Sequence, residues 1–356
     1  MKPVFALLVA CLLPLALRAA DAADEAVRAL MEQHHIPGLS VAILRAGQPA
    51  HVRSYGVANI EWNTPVTERT LFEIGSLTKQ FTAAAILLLQ QDGRLSVDDA
   101  IRRHLPDAPA AWSNITVRHL LTHTSGLKNY TGLDGFETRL KLSQKQFIQK
   151  LAALPPDFTP GTQAKYCNSG YNLLGYIIEN ASGRDYWGFL AARIFAPLGM
   201  STATNRDPSF VLRERAQGYL LQGTNWIHRD SDLTDVFAAG AVAASITDLV
   251  KWNAMVEGAG LLDARSRAQW WTVQRLNNGD ATPYGFGWRL DPYQGHQNIG
   301  HSGSTSGFSA SLQRFPEDGV TVIVLGNSGE LNIATTVAQA VAKTYFRAKP
   351  DADGGQ

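Results

Sequence analysis

Ser76-Leu77-Thr78-Lys79-Gln80-Phe81-Thr82-Ala83-Ala84-Ala85-Ile86-Leu87-Leu88-Leu89 is the stretch on which the reading of this chain turns. Phe81, Ala83 to Ala85 and Ile86 to Leu89 place apolar side chains on every face of a helix. Such a helix is expected to be buried all round, with Gly93 ending it. Lys79 stands three residues after Ser76, and residues at that spacing share a helix face. Ser76 at the helix head would have free backbone N–H groups and the positive end of the dipole beside its hydroxyl, where an oxyanion could form. A serine hydroxyl is a poor nucleophile until a neighbouring base takes its proton, and a desolvated lysine can do so. The plain alternative is an N-cap serine followed by a solvated lysine. A helix without a polar face strains that alternative.

The flanks give the frame. Residues 25–34 read as a helix. Residues 40–44 and 51–57 alternate around Ala46-Gly47-Gln48-Pro49 and read as a hairpin, and residues 71–74 as a short strand. From residue 96 to 235 the pattern is helical with long loops. Turn clusters fall at Thr124-Ser125-Gly126-Leu127, Leu154-Pro155-Pro156-Asp157 and Thr159-Pro160-Gly161, and amphipathic helices at 171–180 and 186–195. Residues 245–256 form a further helix, capped by Ser245 with Asp248 at the box position. After Tyr284 the chain turns strand-like at 287–290, 309–315 and 320–325, and residues 333–346 close it as a helix. Strands at both ends with helices between predict an α/β sheet domain built from both termini, with a helical insertion.

Two more clusters carry polar chemistry. Tyr166-Cys167-Asn168 follows a Pro-Gly approach; a tyrosine can relay a proton and an asparagine amide can hold a carbonyl. A turn tyrosine with an Asx-type asparagine is the bland reading. Gly300-His301-Ser302-Gly303-Ser304 leads into a strand. Its glycines would let a substrate backbone approach closely, and Ser304 can present a second oxyanion N–H. Its bland reading is a Gly-Ser turn with an exposed histidine.

In this order, Ser-x-x-Lys at the head of a buried helix, Tyr-x-Asn about ninety residues on and His-x-Gly before a late strand resemble the penicillin-recognising serine hydrolases. The branch is that of class C β-lactamases, low-molecular-weight DD-peptidases, D-aminopeptidases and β-lactamase-fold esterases. Similarity extends to His119-Leu-Leu-Thr-His-Thr-Ser-Gly-Leu127 and to Gly161-Thr162, Tyr166 and Gly170-Tyr171-Asn-Leu-Leu-Gly175, nearly the whole chain after residue 22. The resemblance implies a β-lactamase/transpeptidase-like α+β fold, an antiparallel sheet flanked by helices plus an all-helical lobe. The sheet lobe would comprise about 23–95 and 236–349, the helical lobe about 96–235. It further implies that Ser76 is acylated and that Lys79 with Tyr166 shuttles its proton. Asn168 would bind the substrate amide and His301 would stand at the cationic position, with Gly303 beside it. The N–H groups of Ser76 and Ser304 would form the oxyanion hole.

Departures bear on the substrate. His301-Ser302-Gly303 stands where β-lactamases carry Lys-Thr-Gly or Lys-Ser-Gly; histidine there is more familiar in DD-peptidase and D-aminopeptidase relatives. If His301 meets a substrate carboxylate, preference for carboxylate substrates should grow on acidification. Cys167 replaces a small polar residue and should point away from substrate. No glutamate-bearing loop of the class A kind is assignable, so deacylation falls to Tyr166 and Lys79. The expected activity is that of a DD-peptidase or D-aminopeptidase-like peptidase or amidase on short peptides. A carboxylesterase, a weak β-lactamase and a non-catalytic peptidoglycan sensor follow as alternatives, with specificity in loops 128–136 and 218–232. His119 and His123 have zinc-helix spacing, but no Glu stands at position 120 and the filler is apolar. Gly300 to Ser304 misses the last glycine of a nucleophile elbow. No metal or cofactor is called for.

Composition fits this reading. The 356 residues are 45% hydrophobic and 18% charged, enough for a large core. Without residues 1–22 the chain loses Lys2, Arg18 and Asp21 from 32 basic and 31 acidic residues, leaving 30 of each. That balance gives no footprint for nucleic acid. Lys2, the apolar run 4–17 and Arg18-Ala-Ala-Asp-Ala22 read as a secretory signal cleaved after Ala22, too short to be kept as a membrane span. Periplasmic or secreted localisation follows. Leu8-Val9-Ala10-Cys11 has the look of a lipobox, but the apolar run continues past Cys11 where a lipoprotein turns polar. After cleavage Cys167 is the one cysteine left, so no internal disulfide can form. Residues 350–356 are a polar tail.

Overall fold

The computed structural model describes residues 4–347 apart from Gly135, Glu137, Thr138 and Ala259, with side chains described from Ala19 onward. The polar tail and the side chain of Cys11 lie outside the described residues. The helix expected at 25–34 is the end of α1 (Val4–Gln33). β1 (Gly38–Arg45) and β2 (His51–Asn59) make the expected hairpin, with Ile43 opposite His51. Next come β3 (Thr64–Pro65) and β4 (Phe72–Glu73), then a tight 3-10 turn over Gly75–Leu77 that leads into α2 (Thr78–Gln91).

The middle of the chain carries α3 (Val117–Leu121), α4 (Gln144–Ala152), α5 (Asn168–Ser182) and α6 (Tyr186–Leu190). β5 (Thr204–Asn205), β6 (Tyr219–Gln222), β7 (Asn225–His228) and β8 (Val242–Ala244) follow, with α7 (Ile246–Val256) and α8 (Ala264–Trp270). Last come β9 (Gln274–Arg275), β10 (Ala281–Thr282), β11 (Ile299–Thr305), β12 (Phe308–Phe315), β13 (Val320–Gly326) and α9 (Ile333–Lys343).

Six antiparallel strands form the main sheet in the order β11-β12-β13-β1-β2-β3. The first and last strands of the chain therefore meet at its centre, where Val41 faces Val324. Alternation along these strands gives each face its own core. Leu39, Val41, Ile43, Val320, Val322 and Val324 pack with Val27 of α1 and Val337 and Val341 of α9. Ala42, Leu312, Ile323 and Leu325 face the other way, into the core that holds α2. Residues 78–89 of α2 are all buried, and the Phe81 ring lies 4.2 Å from Trp252 and 5.6 Å from Phe195. The fold is the expected antiparallel sheet flanked by helices.

Some local expectations are corrected. Residues 96–235, read as helical, also hold β5 and the β6–β7 hairpin. Its two-residue turn uses Gly223 at φ 62°, and four-residue strands are too short to show alternation. α6 ends at Leu190 and the chain continues as a π turn over Ala191–Phe195. Residues 287–290 make only single bridges, of Arg289 with Tyr284 and Gly300. His301, Ser302 and Gly303 lie inside β11 and not in a turn before it.

Ser245 caps α7 as read, accepting the Asp248 N–H and the Thr202 hydroxyl (2.8 Å). Ser245→Ala should cost about 1–2 kcal/mol, measured by denaturant unfolding, with turnover per folded molecule unchanged.

Candidate active site

The turn Gly75–Leu77 brings Ser76 against the edge of β11. Gly75 has φ 51°, and a Cβ there would stand 2.6 Å from the Ser304 nitrogen. A Cβ on Gly303 would stand 1.9 Å from the Ile74 oxygen and 2.9 Å from the Ser76 nitrogen. Both contacts are closer than any side chain allows, so only glycine lets the two backbones meet. The N–H groups of Ser76 and Ser304 are thereby brought to one place. Ser76 lies in the 3-10 turn one step ahead of α2, and no side chain caps that turn. The serine expected at the helix head is thus not a cap, and its hydroxyl is left to other partners.

Those partners are Lys79 and Tyr166. Lys79 Nζ is 3.0 Å from Ser76 Oγ, 2.8 Å from Asn168 Oδ1 and 2.7 Å from the Ala239 carbonyl oxygen. Its side chain is wholly buried, and among the described residues no carboxylate pairs with it. Burial without a counter-charge favours the neutral amine, and its pKa lies well below the ordinary lysine range. A neutral amine has two N–H donors and one lone pair. Asn168 and Ala239 can accept both donors, which leaves the lone pair facing the Ser76 hydroxyl.

Tyr166 donates its hydroxyl to Ser76 Oγ at 2.7 Å. Burial raises its pKa above the ordinary tyrosine value, so it stays a phenol. The His123 ring packs against it at 4.4 Å, and His123 Nδ1 accepts the Cys167 N–H at 3.1 Å. That bond fixes the backbone where Tyr166 leaves the loop and α5 begins. Desolvation by burial holds the His123 pKa far down. His119 instead completes the cap of α3 with Thr116. The two histidines of zinc-like spacing serve separate roles. Cys167 is buried and points its Sγ at the Leu127 carbonyl (3.3 Å), away from Ser76's partners. Asn168, besides Lys79, donates Nδ2 to Thr131 Oγ1 at 2.8 Å and takes its backbone N–H to Asn129 Oδ1 at 2.9 Å. The loop 128–136 therefore touches the site directly.

His301 departs from the cationic position expected for it. It is 3% exposed, its Nδ1 is 2.6 Å from the Ser302 carbonyl and its Nε2 is 2.8 Å from the Tyr284 hydroxyl. The carbonyl can only accept, so Nδ1 carries the proton and Nε2 accepts from Tyr284. Desolvation by burial lowers its pKa to about 3. Both nitrogens are used and the ring is neutral. A cation does stand close by. Arg289 is bonded through its backbone to Gly300 (2.7 and 3.0 Å), half exposes its side chain with the guanidinium 3.6 Å from the Asp291 carboxylate, and its charge acts on Tyr166 and His301. Sequence reading passed over Arg289, Tyr284, His123 as the ring under Tyr166, and the Ala239 carbonyl. The only available signal was Tyr284-Gly-Phe-Gly-Trp-Arg289 itself, read as strand alone.

With this geometry in view, the comparisons are direct. The chain belongs to the Beta-lactamase family, which it matches over residues 23–345, and with it to the serine hydrolases. "Penicillin-binding protein 4*" of Bacillus subtilis (strain 168) is 32% identical over 336 residues, 88% of this chain and 72% of that protein. The D-aminopeptidase of Brucella anthropi is 28% identical over 321 residues, 86% of this chain but 59% of that one. The chain thus spans about three fifths of the latter. The structure of a D-amino acid amidase from Ochrobactrum anthropi SV3, complexed with L-phenylalanine amide, superposes with a TM-score of 0.77 at 26% identity, over 90% of this chain and 97% of that one. Among the described residues no group of three or more His, Cys, Asp or Glu is placed to hold a metal.

A neutral His301 makes a definite pH statement. The ratio of kcat/KM for a carboxylate substrate to that for a neutral ester should stay flat from pH ~8 to ~5.5, the range where an exposed imidazole would gain its proton. Sequence alone led to the opposite slope. A ratio rising through the imidazole range would show His301 charging in contact with substrate.

Proposed function

We infer that the protein is an exported serine hydrolase that cleaves amide bonds of short peptides through an acyl-enzyme on Ser76, as DD-peptidases and D-aminopeptidases do. The observation that carries it is the pair of hydrogen-bonding contacts on one hydroxyl: Lys79 Nζ at 3.0 Å and Tyr166 at 2.7 Å. Lys79, as the neutral amine, takes the proton of Ser76 while Oγ attacks the substrate carbonyl. The developing oxyanion lies between the N–H groups of Ser76 and Ser304. Tyr166 gives its proton to the departing nitrogen and recovers one from Lys79. In deacylation the same pair deprotonates water, which attacks the ester carbonyl, and returns the proton to Ser76. Support for a peptide-like substrate comes from the relatives' names and from Arg289, a cation at the rim suited to a substrate carboxylate. Support for export comes from Lys2, the apolar run and the small-residue end, directly before Ala23 where the family match begins. Among the described residues no helix is long and apolar enough to cross a membrane.

A fluorophosphonate or penicillin adduct should map by mass spectrometry to the peptide carrying Ser76 and vanish in Ser76→Ala. An adduct on Ser125 or Ser302 would overturn the assignment. Lys79→Ala should lower kcat at least ~100-fold, the usual worth of a general base. Across a panel of a D-alanyl peptide, a D-amino-acid anilide, nitrocefin and a nitrophenyl ester, the peptide or anilide should turn over best.

Arg289→Ala separates the substrate classes. KM for a carboxylate-bearing peptide should rise about 10–100-fold, the worth of a charge-assisted hydrogen bond. The neutral nitrophenyl ester should be hydrolysed as before. Equal effects on both substrates would remove Arg289 from carboxylate recognition.

A further inference from the structure

Glu73 has no part in the chemistry above, yet its side chain is completely buried only three residues before Ser76. One carboxylate oxygen accepts Arg206 Nε at 2.8 Å, and the other accepts the Thr305 hydroxyl at 2.7 Å. Arg206 is itself 6% exposed and reaches Asp230 at 3.2 Å. Asp230 in turn takes both arms of Arg215, at 2.9 and 2.7 Å. Burying a pair such as Glu73 and Arg206 seldom stabilises a fold more than apolar packing of the same volume would. Its placement is therefore the informative part.

Glu73 ends β4 at the entry to the nucleophile turn. Thr305 ends β11, one residue beyond Ser304. The bond between them spans 232 residues of sequence and joins the two segments whose N–H groups face each other across the site. Those segments meet through Gly75 and Gly303, which permit a close approach but lend no stiffness of their own. Arg206 is fixed by its backbone N–H to the Ala241 carbonyl (2.9 Å), beside β8, on which Glu73 pairs with Ala243. The carboxylate is thus held from one side and grips β11 on the other. Oxyanion donors work only when they lie about 2.7–3.1 Å from the developing charge. A tie that sets their separation acts on the transition state and leaves ground-state binding alone.

We propose that Glu73, held by Arg206, is a positioning residue that fixes the spacing of the Ser76 and Ser304 N–H groups through its bond to the Thr305 hydroxyl. This rests on the acyl-enzyme reading of Ser76. Thr305→Val removes the hydroxyl at nearly constant volume, and Thr305→Ser restores it. In Thr305→Val the second-order rate of fluorophosphonate labelling and kcat for a nitrophenyl ester should both fall about 10–100-fold, less than the ~10²–10³ of deleting a donor outright. KM should stay within about threefold, affinity for phenylboronic acid should weaken by the same factor as kcat, and Thr305→Ser should recover most of each loss. Active sites are titrated to end point, so that rates refer to folded molecules. If the valine variant does not fold, Glu73→Gln, which keeps the volume but loses the charge, should show the same split between kcat and KM. Native rates in Thr305→Val, or equal losses in the serine and valine variants, would overturn the proposal. Ser76→Ala run beside them isolates the underlying reading. If that variant still hydrolyses the ester, the acyl-enzyme reading fails. If it is inactive while Thr305→Val is native, only the role of Glu73 fails.

Discussion

A lysine amine buried without a carboxylate is the constraint around which this molecule is arranged. Lys79 is wholly enclosed, and its contacts are a hydroxyl, an amide oxygen and a backbone carbonyl. The unfolded chain would hold a proton on this amine up to the ordinary lysine pKa of ~10.4. The folded chain, with its lowered pKa, gives it up earlier. Wherever the folded amine has lost its proton and the unfolded one keeps it, the unfolded state binds more protons, so the cost of burying this group shrinks as pH rises towards the ordinary lysine pKa. Taking the amine out of water without a counter-charge thus costs folding free energy at neutral pH. The apolar helix that carries Lys79 and the core of aromatic rings against it offset that cost. The apolar pattern of Phe81 and residues 83–89 is thus the sequence counterpart of the desolvation that lowers the amine's pKa.

The second constraint is convergence. Ser76 and Lys79 belong to one segment, Tyr166 and Asn168 to another, and Ser304 to a third near the end of the chain. What unites the first and third is the pairing of β1 with β13 at the centre of the sheet, which brings both ends of the chain together. α5 then presents Asn168 at its first turn, with the His123–Cys167 bond setting where Tyr166 stands. Glycines at 75 and 303 close the last gap, since any Cβ there would collide with the facing backbone. The site is fixed where backbones touch, and Asn129 and Thr131 hold Asn168 from the side.

Much of this was legible because it rests on patterns that sequence displays. A helix apolar on all faces, a lysine three residues after a serine, and alternation over residues 40–44 and 51–57, within β1 and β2, are local signals. Other parts were not. Ala239 contributes only a carbonyl, which no side chain announces. The 3-10 turn at Gly75–Leu77 is set by the contact with β11, and single-bridge segments such as residues 287–290 do not differ from strands in composition. His301 was misread for a physical reason. The sequence names an imidazole but gives neither its burial nor the Tyr284 hydroxyl seventeen residues earlier that takes its second nitrogen. The chain of Glu73 and Arg206, both buried, and the more exposed Asp230 and Arg215 joins residues too far apart in sequence to form any pattern.

The polar rings around Ser76 then form a graded environment. His123, Tyr166, Tyr284 and His301 contact one another ring to ring, with centroids 4.4 to 6.5 Å apart, and burial keeps each of the four neutral. Any one of them charged would act on the amine of Lys79 at short range in a poorly screened interior. A protonated His301 would depress the lysine further, and a tyrosinate would hold its proton in place. Neutrality of the layer therefore leaves the basicity of Lys79 to its own desolvation. It leaves positive charge to Arg289, which stands at the solvent-facing edge, where a guanidinium costs little to keep. On the proposed mechanism this divides the labour: proton transfer proceeds among neutral groups inside, and recognition of a substrate's charge falls to the rim. A lysine in the place of His301 would merge the two duties in one residue. Here they are separated by the thickness of a single β-strand bridge, from Arg289 to Gly300 and on to His301.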